Sequence, residues 1–317
     1  MVRFLARHAT HALALGVFVG LLAPPLASFA RPILTPAIWV LLVLSMLRVD
    51  WRDVAVHFRR PLTLTLVLVW MLAVTPLLMW VVVSVFEPRP GLAAAMVMAA
   101  GSSPLMSTPA IGILLGLDGA LLLAVLVPAT LLVPLTLPVV AIAILGLTFE
   151  LGVGDLMARL AGLVGSALVT AVVVRRLIGG ARVAAASELL DGWAVIWLLV
   201  FAVGIMDGIT ARLLADPGDV VSVMGLTFAV YLGLMVAGAV AFLPMSGRIG
   251  WRAMMSIGFT SGCRNLAVVL AVLPDDSDPD MMLYFAVGQF PIYIMPAVLK
   301  IVAGAVSVRM ERDGRLE

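Results

Sequence analysis

Few residues in this chain could do chemistry, and most of them cluster at two places. Arg264 interrupts an apolar run at 257–276, with Thr260, Ser261, Gly262 and Cys263 before it and Asn265 after it. A second apolar run, at 91–118, is interrupted by Ser102, Ser103, Pro104, Ser107, Thr108 and Pro109. A guanidinium at the centre of a membrane span costs roughly 3 kcal/mol on insertion scales, so it must face a partner or a watery cavity. Two readings of Arg264 stand together. It is a structural cation bonded to loose backbone carbonyls, or a fixed charge that holds an anionic substrate or stands in for a coupling cation. Asn265 could cap the following half-helix or contact a solute. The hydroxyls of Ser102, Ser103, Ser107, Thr108, Thr260 and Ser261 could bond their own backbone or line a solute site. Asp207, in VGIMDGIT, is a proton carrier, a counter-ion for Arg264, or a carboxylate near the surface.

Other chemistries fail on inventory. The single cysteine, Cys263, excludes an internal disulfide and a multi-cysteine metal site, and His8, His11 and His57 lie at segment ends. There is no G-x-S-x-G elbow, no H-E-x-x-H and no P-loop. The expectation is a non-enzyme with no cofactor, no metal site and no nucleic-acid partner.

The elements that must position these residues are membrane helices. The 317 residues are 63% hydrophobic and 12% charged, roughly half the charge share of a soluble domain. Apolar segments predict ten spans, near 9–29, 32–47, 61–86, 91–116, 119–146, 160–178, 192–212, 220–243, 251–273 and 281–306. The mixed segment 147–159 is expected along the interface. Alternate loops divide the arginines unevenly. One side collects Arg3, Arg7, Arg48, Arg52, Arg59, Arg60, Arg175, Arg176, Arg182, Arg248, Arg252, Arg309, Arg312 and Arg315, and the other Arg31, Arg89, Arg159 and Arg212. The second side is acidic instead, at Asp275, Asp276, Asp278 and Asp280. The positive-inside bias then puts both termini in the cytoplasm, in a bacterial inner membrane. Five spans per half make the second half inverted: one all-α membrane domain over 1–317, with repeats at about 9–146 and 160–306. Spans 4 and 9 are the interrupted ones. At about 1.5 Å per residue their breaks lie within a few ångströms of the bilayer centre. The half-helices after the breaks would aim their N-terminal ends at an anion.

Three stretches carry a family resemblance: LSMLRVDWRDV, GSSPLMSTPAIGILLGLDGALLLAVLVPATLLVPLTLP and SGCRNLAVVLAVLP. With the broken spans 4 and 9, the chain resembles the bile acid:sodium symporter family. The resemblance implies crossing broken helices, a panel of spans 1, 2, 6 and 7 moving against a core of the other six, and an organic-anion substrate. It also implies sodium ligands, at places occupied here by Met71, Pro109, Ala110, Leu122, Leu126, Gly258 and Gly262. Hard cations need oxygen ligands, and these side chains offer none. The expected function is therefore a secondary transporter or facilitator of a small organic anion that does not couple to sodium in the family's way. A sodium symporter with ligands from backbone carbonyls, Thr260, Ser261 and Ser107 is the alternative, and a non-transporting scaffold or sensor the further one.

Overall fold

The computed structural model describes residues 9–49, 61–144, 153–273 and 277–312. These residues are nearly all helical, with no β-strand among them. The helices are α1 (Ala9–Leu22), α2 (Pro24–Arg48), α3 (Pro61–Phe86), α4 (Pro90–Gly101), α5 (Thr108–Leu114), α6 (Gly119–Ile142), α7 (Val153–Ile178), α8 (Gly180–Ala185), α9 (Ser187–Gly204), α10 (Ile209–Ala215), α11 (Pro217–Ile249), α12 (Trp251–Gly262), α13 (Leu266–Leu270), α14 (Pro279–Val287) and α15 (Gln289–Arg312). Among the described residues seven helices are long and apolar enough to cross a membrane: α2, α3, α6, α7, α9, α11, and α14 continued into α15. Large apolar side chains lie outward on them, such as Phe29, Phe86 and Leu177. That is the build of a multi-pass membrane protein, whose outer surface needs lipid rather than water.

Local sequence explains where the helices begin. Proline occupies the first or second position of α2, α4, α5, α11 and α14, where a missing N–H is harmless. Side-chain carboxylates cap three starts: Asp118 accepts from Leu121 N at 3.0 Å, Asp216 from Asp219 N at 3.0 Å and Asp278 from Asp280 N at 2.7 Å.

Several expected boundaries move. The first span is predicted to reach residue 29 and the second to begin at 32. Instead α1 ends at Leu22, and Pro24 and Pro25 open a helix that continues through a 3₁₀ turn at Arg31–Ile33 to Arg48. Proline is as good a helix starter as a stopper, and here it starts one. The α7 helix begins at Val153 and so takes in residues 153–159 of the segment expected along the interface, Arg159 among them, while 147–152 lie outside the described residues. The span expected at 192–212 ends at Gly204, and Gly208 turns the chain with a positive φ of 77° before α10. Arg52, Arg59, Arg60, Asp275 and Asp276 lie outside the described residues, as do Arg3, Arg7 and Arg315.

Packing falls into two groups. In one, α9 lies against α1 and α2, and α7 against α2. In the other, α4 packs on α3 and α14, α5 on α6, and α11 on α12 and α14. The α6–α7 contact joins them. At one end, four charges close a ring: Arg212 bonds Asp219 at 2.9 Å and also Asp280, while Arg89 meets Asp219 at 2.5 Å and Asp280 at 3.2 Å. The ring ties α10 to the starts of α4, α11 and α14.

Candidate functional site

The site begins with a proline. Over Trp70–Val74 the α3 helix widens to π geometry, and Thr75 N–H bonds Trp70 O. In that register the next N–H would serve Met71 O, and Pro76 has none to give. Met71 O is left to other donors. Thr75 Oγ1 lies 2.8 Å from it and Arg264 Nη1 3.2 Å.

Two helix breaks meet in front of this carbonyl. The α4 helix stops at Gly101 and Ser102 is extended, while α12 stops at Gly262. The unwound strands run antiparallel through a bridge between Pro104 and Arg264. Leu105 N–H donates to Cys263 O at 2.9 Å, and Asn265 N–H donates to Ser103 O at 2.8 Å. Each break thus supplies the hydrogen bonds the other has lost, which is the condition for non-helical backbone inside a bilayer.

Arg264 closes the arrangement. Its side chain is buried, with the residue only 3% exposed. Nε donates to Ser261 O at 2.8 Å, Nη1 to Ser102 O at 2.9 Å as well as to Met71 O, and Nη2 to Thr75 Oγ1 at 2.8 Å. One rigid fork therefore gathers α3, the end of α4 and its own α12, which a lysine point charge could not do. No carboxylate pairs with Arg264 among the described residues. The described partners that balance its charge are dipoles.

The structure sorts the sequence-derived site residues. Ser102, Ser103, Thr260, Ser261, Arg264 and Asn265 come together at the crossing, and Ser107 and Thr108 open α5 beside it. Two hydroxyls serve the backbone: Ser102 Oγ donates to Ala99 O at 2.8 Å, and Ser261 Oγ donates to Ile257 O at 2.7 Å while accepting from Trp70 Nε1 at 2.9 Å. Three buried hydroxyls, on Ser103, Thr108 and Thr260, have no partner among the described residues. The Asn265 side chain does not cap α13. Asp207 is not the counter-ion of Arg264. It bonds Arg31 at 2.9 Å and Ser28 at 2.7 Å, which fixes the turn after α9 to α2. The arms after the breaks are shorter than the sequence suggests, seven residues in α5 and five in α13, so the guanidinium outweighs their helix-end charge.

Gly258 and Gly262, at two of the places where the resemblance implies sodium ligands, are packing surface. A Cβ on Gly258 would meet Met235 O at 2.9 Å, and one on Gly262 would meet Tyr231 O at 2.5 Å. The literal GFTSG spacing lets α12 lie directly on α11. Sequence reasoning also missed Met71 and Thr75 as holders of the guanidinium. The signal was the Thr-Pro pair inside span 3. A cavity of about 30 Å³ touches Arg264, Tyr231 and Tyr284, room for a water molecule or two and no organic solute.

The chain matches no protein-family model and no curated protein sequence.

Proposed function

We propose that the chain is a secondary transporter or facilitator of a small organic anion, working in a bacterial inner membrane with both termini cytoplasmic. The proposal counts ten spans in two inverted halves: the seven long helices, the shorter α1, and the broken pairs α4–α5 and α12–α13. The group of α1, α2, α7 and α9 would be the moving panel, and the group containing the crossing the core. The observation that carries this reading is the carbonyl-held, carboxylate-free guanidinium where two broken helices meet. It gives a core with a fixed positive charge and no need for a bound cation. The three unpartnered hydroxyls beside it support the same reading, because buried polar groups normally find partners.

The test is flux. Purified protein in proteoliposomes should accumulate at least one radiolabelled compound from a set of carboxylates, sulfonates and steroid acids. Replacing sodium by potassium in the medium should leave the rate unchanged. Absence of saturable uptake across the set would refute transport, and uptake only with sodium would refute the uncoupled mechanism.

A further inference from the structure

Away from the crossing, a cleft of about 500 Å³ lies between α2, α7 and the chain just beyond α13. Trp39 lines it from α2, Arg159, Gly162 and Ser166 from one face of α7, and Ala271 and Val272 from the segment that follows α13. The size suits a small organic ligand. We infer that this cleft binds a dissolved amphipathic monoanion, with Arg159 as the residue that holds its charge. The inference rests on the transport reading, for which it names the site and the substrate class.

On the arginine-poor side of the sequence, Arg31 pairs with Asp207, and Arg89 and Arg212 pair with Asp219 and Asp280. Arg159 is the fourth. It is exposed and has no hydrogen bond or ion pair among the described residues. Of the other side-chain polar groups of the lining, Trp39 and Ser166 are occupied with one another, and the exposed Thr35 adds one neutral hydroxyl. Trp39 Nε1 donates to Ser166 Oγ at 3.0 Å, and Ser166 Oγ reaches Leu163 O at 3.2 Å. A ligand therefore meets one charged donor, the Arg159 guanidinium, with the neutral Thr35 hydroxyl, beside Trp39 and aliphatic walls. That combination selects a single anionic group on an apolar body. The cleft also couples to the core. Its far wall, Ala271 and Val272, continues directly from the broken helix that carries Arg264, so a ligand there bridges the two packing groups.

The experiment is a binding measurement that needs no transport. Full-length protein in phosphatidylcholine nanodiscs is titrated with dansylaminoundecanoate and with its methyl ester. The carboxylate should bind saturably with a rise in dansyl emission, and the ester at least tenfold more weakly. Arg159→Gln should weaken the carboxylate about tenfold or more, and Arg159→Lys should retain most of the affinity. Gly162→Phe should abolish binding, because a Cβ at Gly162 has open space around it and the ring can fill the cleft without strain. Equal affinity for acid and ester, or unchanged binding in both Arg159→Gln and Gly162→Phe, overturns the assignment. Phosphatidylglycerol in the discs distinguishes the source of the anion. Unchanged probe binding supports a dissolved solute, and competition assigns the cleft to a lipid headgroup and overturns the proposal. Flux that persists in Arg159→Gln would sink this site while leaving the transport reading intact.

Discussion

Arg264→Leu should cost the protein its fold before it costs any site. The substitution removes four hydrogen bonds from a charged donor, to Ser261 O, Ser102 O, Met71 O and Thr75 Oγ1. Such bonds contribute about 1.5–3 kcal/mol each. Against them stands the relief of removing a buried charge, roughly 3 kcal/mol on insertion scales. The bonds win, by about 3 kcal/mol or more. Ser102 O and Ser261 O lose these partners at a helix break. Thermal unfolding in detergent is the check, and Cys263 is a built-in reporter. It is the only cysteine of the chain, it is buried, and it immediately precedes Arg264. A thiol-reactive fluorogenic maleimide should label Arg264→Leu at much lower temperature than the wild type. Arg264→Lys keeps charge without the fork and should fall between them. Labelling of Arg264→Leu at the wild-type temperature would mean the fork holds nothing together.

The second large effect is expected at Gly262. A Cβ there meets Tyr231 O at 2.5 Å and also strikes Met235 Cγ. The methionine side chain can move, but the carbonyl belongs to the backbone of α11 and cannot. Gly262→Val should therefore push α12 away from α11 and displace the break that begins at Cys263. Overpacking of this kind costs about 1–3 kcal/mol, and the backbone clash puts Val at or above the upper end. Gly162→Val is the matched control, since no atom lies within 4 Å of its added Cβ. The expected outcome is a large loss of thermal stability in Gly262→Val and almost none in Gly162→Val, read by circular dichroism on the purified proteins. Equal melting of the two would show that the close approach of α11 and α12 is unimportant.

Much of the crossing was legible in the sequence. Small polar residues and prolines inside two apolar runs mark breaks, because only backbone that finds partners can unwind in lipid. An arginine at that depth must be held or hydrated. What holds it was not legible, because three of its four acceptors are main-chain carbonyls, which every residue has. Only Thr75 is a side-chain partner, and its significance depends on the π stretch that Pro76 induces. The packing role of two glycines was hidden for a related reason. Gly258 and Gly262 look like missing side chains when aligned, and in three dimensions they are the contact surface for α11. Asp207 was ambiguous because a lone carboxylate does not name its partner. Arg31 is 176 positions away in sequence. The cleft beside Arg159 went unread because it needs α7 to start at Val153, earlier than the apolar run suggested.

We propose that a guanidinium supplies at the crossing the positive charge that a bound cation would otherwise supply. The most direct measurement is the temperature dependence of Cys263 labelling in wild-type protein, in sodium chloride and in potassium chloride at equal ionic strength. Superimposable curves are expected, since the guanidinium already takes the oxygens of Ser102, Ser261, Met71 and Thr75, and no carboxylate joins the unpartnered hydroxyls of Ser103, Thr108 and Thr260 among the described residues. A labelling midpoint raised by sodium alone would show a cation site at work in this protein, and would contradict it.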